Sequence, residues 1–183
     1  LALSGWDSIP RVALKADASS RSYERLHGPR PAILMDAPPN TGESTETFVR
    51  VAKHLADIGI RVPEMIAADH DQGFLLMEDF GDGLVATITT EFPNRKPEIY
   101  RDIIDVLIHL SRQPLPVWAG ATSPETLAQM VAPAFEYFIK DEDQKHAIQT
   151  ALEAVLSKTL SNPQCLSLRD CHAENLLLLP DQI

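Results

Sequence analysis

The run Leu168-Arg169-Asp170-Cys171-His172-Ala173-Glu174-Asn175-Leu176-Leu177 carries the densest chemistry in the chain. An Asp precedes an Asn by five positions, and apolar residues flank the pair on both sides. A carboxylate so placed can receive or orient the proton of an attacking hydroxyl. An amide oxygen at the far end of the same turn can hold a magnesium ion. These are two needs of phosphoryl transfer, where positioning and electrostatics dominate. Asp and Asn also populate ordinary loops, so the surroundings must decide.

The protein-kinase form of such a loop is His-Arg-Asp, four residues, then Asn. Here Leu168 replaces the His, while Arg169, Asp170 and Asn175 keep their places. Cys165-Leu166-Ser167-Leu168 is expected to enter as a short strand, and Leu176 to Leu179 to leave as another. A rigid strand–loop–strand holds two polar groups at fixed separation. His172 can support the loop, face the acceptor or be a satisfied structural His. Cys165, Cys171 and His172 match no zinc spacing and lack a fourth ligand.

The elements that must position this loop are legible by period. Arg11 to Lys15 and Tyr23 to Leu26 read as strands around the polar turn Ala16-Asp17-Ala18-Ser19-Ser20-Arg21-Ser22, and Pro31 to Met35 reads as a third. Over Ser44 to Ile58 the residues Phe48, Val51, Ala52, Leu55 and Ile58 fall at helical spacing, with Gly59 as a stop. Pro63 to Ala68 and Gly73 to Met77 read as two more strands, joined by Asp69-His70-Asp71-Gln72.

After Glu78-Asp79-Phe80-Gly81-Asp82-Gly83 the pattern is helical as far as Asn162. Three apolar stripes are expected to be core. They are Ile99, Ile103, Val106, Leu107 and Leu110; then Leu127, Met130, Val131, Ala134, Phe135 and Phe138, with a kink at Pro133; then Ala147, Ile148, Ala151, Leu152, Val155 and Leu156. The expectation is an α+β chain with an antiparallel sheet lobe over 1–80 and a helical lobe over 81–183. Its loop at 168–177 follows the third long helix.

A short strand-derived hinge between two lobes makes a cleft. Adenine can enter it and hydrogen-bond the hinge backbone between apolar side chains. Met77, Glu78, Asp79 and Phe80 are the hinge candidates. Glu78, Asp79 and Asp82 can also be simply solvated turn residues. The turn from Asp17 to Ser22 can lie over phosphates, because small residues and Ser hydroxyls bring donors close. A plain hairpin turn has the same composition.

With 44% hydrophobic and 23% charged residues, the composition is that of a soluble globular protein. The formal net charge of -10 argues against binding nucleic acid by phosphate neutralisation. It suits a cationic or neutral small substrate, or simple solubility. No apolar run approaches a membrane span. The start Leu1-Ala2-Leu3-Ser4-Gly5-Trp6 has no basic region and does not read as a signal peptide. Two cysteines point to a reducing cytoplasm rather than a disulfide scaffold.

The layout resembles the aminoglycoside phosphotransferase and choline kinase superfamily, which has a protein-kinase-like fold. The resemblance rests on Gly5-Trp6, Ala16 to Leu26, Ile33-Leu34-Met35-Asp36-Ala37-Pro38-Pro39, Val62-Pro63-Glu64 and Gly73 to Asp82, in order with the loop. More narrowly it resembles the bacterial branch of anomeric sugar kinases acting on N-acetylmuramate and N-acetylglucosamine. That resemblance implies an ATP- and Mg²⁺-dependent kinase transferring the γ-phosphoryl group to a hydroxyl of a small molecule, an amino sugar of cell-wall recycling. It implies Asp170 as catalytic base or orienting carboxylate, and Asn175 as a magnesium ligand. Ser19, Ser20 and Arg21 would cover the triphosphate, Met77 to Phe80 would hold adenine, and Asp36 would face sugar or phosphate. An aminoglycoside, choline or homoserine acceptor is the alternative within the class. A non-catalytic pseudokinase binding nucleotide or a protein partner is the alternative outside it.

Two features depart from the pattern. Met35 stands where the third strand of kinase-like folds carries a Lys, leaving Arg21 or Lys15 to supply charge. A second metal-binding Asp is expected a short hairpin after the Asn. Only Asp181 lies there, in the turn-like Pro180-Asp181-Gln182 before Ile183. The helical lobe is therefore expected to be incomplete, and the chain as written not catalytically competent.

Overall fold

A computed structural model of the chain describes residues 6, 8–14, 20–28, 30–39, 44–120, 122–160 and 165–179. The alternating segments of the N-terminal part pair into one five-stranded sheet in the order β1-β2-β3-β5-β4. The strands are β1 (Arg11–Ala13), β2 (Ser22–Leu26), β3 (Ala32–Asp36), β4 (Met65–Asp69) and β5 (Phe74–Glu78). Every pairing is antiparallel. Between β3 and β4 lies α1 (Thr45–Asp57). Bounds differ from the sequence reading by a residue or two, and Lys15 lies outside the described residues.

The apolar run of β3 is continuous because both faces of the sheet are covered. Leu26, Ala32, Leu34 and Leu76 form one buried cluster, against which Trp6, Ile9, Ile66 and Ala67 pack. Met35, Ala37, Leu75 and Met77 form the other, covered by Tyr23, Ile33, Phe48, Val49 and Met65. Phe48 and Val49 belong to α1, so this helix lies on the second face. Its start is fixed by Ser44, whose hydroxyl accepts a hydrogen bond from the Thr47 amide at 3.2 Å. Its end is marked by Gly59 at φ +83°, a left-handed C-terminal cap.

The helical part opens with α2 (Val85–Glu91), a 3-10 turn (Pro93–Arg95) and α3 (Lys96–Ser111). Val85, Ile88, Ile99 and Leu178 make a third buried cluster with Ile103, Ala173 and Leu176 packed on it. By backbone contacts the chain forms two compact units, Leu1–Val106 with Arg169–Ile183, and Leu107–Leu168. The sheet, α2 and the Asp/Asn loop all fall in the first.

In the second unit the expected stripe from Leu127 to Phe138 is not one helix. It is broken into α4 (Pro124–Gln129), α5 (Ala132–Ala134) and a π turn (Phe135–Ile139) closed by Lys140 at φ +53°. Pro133 cannot donate a backbone hydrogen bond and clashes with the preceding turn, which is why the helix does not run through. Ala128 and Phe135 are buried, but Phe138 is 86% exposed. The stripe on α6 (Glu142–Thr159) also departs from expectation, because this helix has no buried residue. It packs along α4, its stripe includes the small Ala147 and Ala151, and Ile148 and Val155 face solvent. Val106 and Leu107 of α3 are exposed as well. No described helix is long and apolar enough to cross a membrane.

Candidate active site

The Asp/Asn loop is anchored by the start of α2. The first amides of a helix have no partner inside it, and Leu84 at the cap position supplies no side-chain bond. The loop fills that need: Val85 N–H donates to the Leu176 carbonyl at 2.9 Å and Ala86 N–H to that of Ala173 at 3.0 Å. Leu178 N–H donates to the Gly83 carbonyl at 2.7 Å, and Leu84 and Leu177 form an isolated antiparallel bridge. The apolar side chains of 173, 176 and 178 enter the third cluster beneath. The expected flanking strands are therefore not a ladder. Residues 165–168 are irregular, and 176–178 spend their peptide groups on 83–85.

Within the loop, Arg169 sits at φ +61°. That left-handed conformation costs a non-glycine residue about 1–2 kcal/mol, and is held only where the surroundings impose it. The adjoining Asp170 side chain is 78% exposed and accessible. Asn175 uses both amide hydrogens on it, donating to Asp170 Oδ2 and to the Asp170 carbonyl, each at 2.9 Å. His172 Nε2 lies 3.2 Å from Asp170 Oδ1, and the Glu174 amide points at His172 Nδ1 at 3.3 Å. A neutral imidazole has one donor and one acceptor. Since Nδ1 must accept from Glu174, Nε2 carries the hydrogen and donates to Asp170. The 3.2 Å approach of Asn175 Nδ2 to His172 Nε2 is then a contact rather than a hydrogen bond.

The result is a carboxylate aimed by two neighbours, with one lone pair left on each oxygen. Asn175 Oδ1 accepts no hydrogen bond among the described residues, so an oxygen donor is left over beside the carboxylate.

The hinge candidates lie in the same unit. Met77 is buried in β5 and Glu78 ends that strand. Both acidic side chains are engaged rather than simply solvated. Glu78 Oε1 meets Arg61 at 2.5 Å, and its Oε2 accepts from the Glu64 amide at 3.1 Å. The Arg61 hydrogen bond, aided by that amide and opposed by burial, holds the Glu78 carboxyl below the usual range. Asp79, only 6% exposed in its side chain, is gripped by Arg25 at 2.7 Å and accepts from the Gly81 amide at 2.8 Å. The Arg61 guanidinium lies over the Phe80 ring, 4.7 Å from its centre. The peptide groups of Asp79 and Phe80, by contrast, make no hydrogen bond among the described residues.

Ser20 and Arg21 precede β2 at the other end of the sheet, where Ser22 pairs with Asp36 and Asp36 with Phe74. Four strand steps, about 14 Å, separate Ser22 from Leu26 at the hinge end. The Arg21 guanidinium lies 5.7 Å from the Phe48 ring centre. It lines a groove of about 490 Å³ with Ser44, Thr47, Phe48 and Val51 of the α1 region. Ser19 lies outside the described residues, as does Asp181. Met35 is fully buried among apolar neighbours, so the third-strand position where a Lys was expected holds no charge. The braces Arg25 and Arg61 escaped the sequence reading. The one available signal was an Arg in a short strand with Asp79 and Asp82 far along the chain.

A model of the phosphotransferase enzyme family matches residues 11–183. The chain belongs to this family. Among curated proteins, this member of the phosphotransferase enzyme family is 37% identical over 108 residues to the N-acetylmuramate/N-acetylglucosamine kinase of Pseudomonas aeruginosa, covering 57% of this chain and 31% of that protein. It is 27% identical to the protein of that name from Caulobacter vibrioides over the whole chain and 61% of that protein. The protein of that name from Pseudomonas putida is 28% identical, over 94% of this chain and 53% of that protein. The chain thus spans from about a third to three-fifths of the length of these relatives.

Proposed function

We propose that the protein is an ATP-dependent small-molecule kinase that moves the γ-phosphoryl group to a hydroxyl of an amino sugar. The observation that carries this is the loop geometry: an exposed Asp170 carboxylate held on both sides by His172 and Asn175, on a turn fixed by the start of α2. Its spare lone pairs can receive the proton of an acceptor hydroxyl and align the oxygen for in-line attack.

Adenine is assigned to the edge of residues 77–80. There the peptide groups of Asp79 and Phe80, unbonded among the described residues, can read it, under the cross-strand row of Arg25, Ile33 and Met77. Ser20 and Arg21, with Ser19 next to them in sequence, are assigned to the triphosphate. The roughly 14 Å between the two ends of β2 is comparable with the reach of an extended nucleotide.

The donors present fit Mg²⁺. It is a hard cation that takes oxygen ligands, keeps several waters and leans on substrate phosphates. Asn175 Oδ1 is open to it beside Asp170. No group of three or more His, Cys, Asp or Glu among the described residues makes a complete protein cage. When bound, Mg²⁺ supplies neutralisation of phosphate charge.

The names of the relatives favour an amino sugar over an aminoglycoside, choline or homoserine. Met35 favours a second reading, a non-catalytic nucleotide-binding protein, because an uncharged third strand leaves the phosphates without their usual lysine. Assay of the full-length protein with Mg-ATP against N-acetylmuramate, N-acetylglucosamine, kanamycin, choline and homoserine separates these. The expected result is phosphorylation of the amino sugars. Nucleotide binding with no turnover on any acceptor would instead support the second reading.

A further inference from the structure

Arg25 belongs to β2, yet its side chain is committed to the segment that follows β5. Its Nε lies 2.7 Å from Asp79 Oδ2, and its Nη2 donates to Asp79 Oδ1 and to the Gly81 carbonyl, each at 3.2 Å. Nη1 meets Asp82 Oδ1 at 2.7 Å. Burial works against the charge on Arg25, but the bonds from Asp82 and Asp79 outweigh it and raise its pKa. The Arg25 side chain is 17% exposed, so this is a partly desolvated fork rather than a solvent-washed surface pair. The register places Arg25 opposite Ile33 on β3, and Ile33 opposite Met77 on β5. One side chain therefore reaches from the face above the assigned adenine site to residues 79, 81 and 82.

We propose that Arg25 is a positioning residue for nucleotide. It pins the backbone of 79–82 so that the peptide groups of Asp79 and Phe80, unbonded among the described residues, stand ready, and it does so without touching phosphate. This rests on the kinase reading above. The fork is consumed by two carboxylates and a carbonyl, so its role is rigidity of the linker rather than charge for the triphosphate. Holding a binding edge in place before the ligand arrives appears as affinity, because less ordering remains to be done on binding.

The test uses the full-length protein with Arg25→Ala, Arg25→Lys and Asp82→Asn. Asp82→Asn strips the charge from one arm of the fork at a side chain that is 85% exposed, so folding tolerates it. The expected result for Arg25→Ala is a KM for ATP raised about tenfold, with kcat within about threefold and the acceptor KM unchanged. Arg25→Lys, which keeps the charge but not the fork, falls between it and wild type, and Asp82→Asn shows a smaller shift in the same direction. Hydrogen exchange adds a readout free of turnover: the amides of 79–84 exchange faster in Arg25→Ala, while those of β3 and β5 keep their protection.

Wild-type exchange at 79–84 together with an unchanged KM for ATP overturns the proposal. So does a parallel fall of kcat, acceptor affinity and melting temperature with exchange raised evenly across the sheet. If the wild-type protein binds no nucleotide, the kinase reading falls and with it the assigned role. The exchange comparison then still decides whether Arg25 holds the linker.

Discussion

Asn175 does two things with one amide. Its hydrogens aim the Asp170 carboxylate, and its oxygen, which accepts no bond among the described residues, is the one proposed for a cation. A charge-neutral donor suits the proposed role, because a cationic one would compete with a metal for the same carboxylate. The spacing of the two residues was plain in the sequence, and so was His172, although its bond to Asp170 needed the fold of the turn to be seen. Glu78 ends β5 and Asp79 follows it, but the partners of their side chains were not legible. Arg61 and Arg25 reach them from 17 and 54 positions away, distances over which no local pattern speaks. The Glu78 pair has a pH signature. Its folded pKa lies below the unfolded value, so it adds stability at neutral pH that is lost as pH falls through the carboxylate range. Glu78→Gln is therefore expected to lower the melting temperature at about pH 7, with the gap to wild type closing toward about pH 3. A gap that stays constant across that range would contradict the assignment.

At the scale of elements, the sheet and α1 were legible because alternation and a 3.6-residue period are read from neighbours. The cap at Ser44 and the stop at Gly59 were equally local. What was not legible depended on distant partners. The α2 amides take the carbonyls of 173 and 176, so the loop is held by helix capping where flanking strands were expected. In the helical stretch Pro133 was legible as a kink, but the stripes alone could not reveal how far it breaks the helix, or that the α6 stripe is left exposed. The β4–β5 hairpin offers a sharp test of element packing. Gly73 has φ +80°, and a Cβ there would stand 2.1 Å from the Ala37 carbonyl oxygen, whereas one on Gly59 would meet nothing within 4 Å. Both positions are left-handed. Gly73→Ala is expected to cost more than about 3 kcal/mol in urea unfolding, against about 1 kcal/mol for Gly59→Ala. Equal losses would show that the close approach of Gly73 to Ala37 is not real.

At the scale of the molecule, sheet, linker and loop fall into one compact unit although the loop lies more than eighty residues beyond the sheet in the chain. That reunion is why several separate motifs together were worth more than the Asp/Asn pair alone. The family was legible from those motifs in order. The acceptor was not, since the relatives extend well beyond the matched portion. The account stands on Asp170 acting on the acceptor hydroxyl. Its most direct test is phosphoryl transfer from ATP to N-acetylglucosamine by full-length wild type and Asp170→Asn, with nucleotide binding measured alongside. The account predicts turnover lower by about a thousandfold in the variant with ATP affinity kept. Wild-type turnover by Asp170→Asn would contradict it.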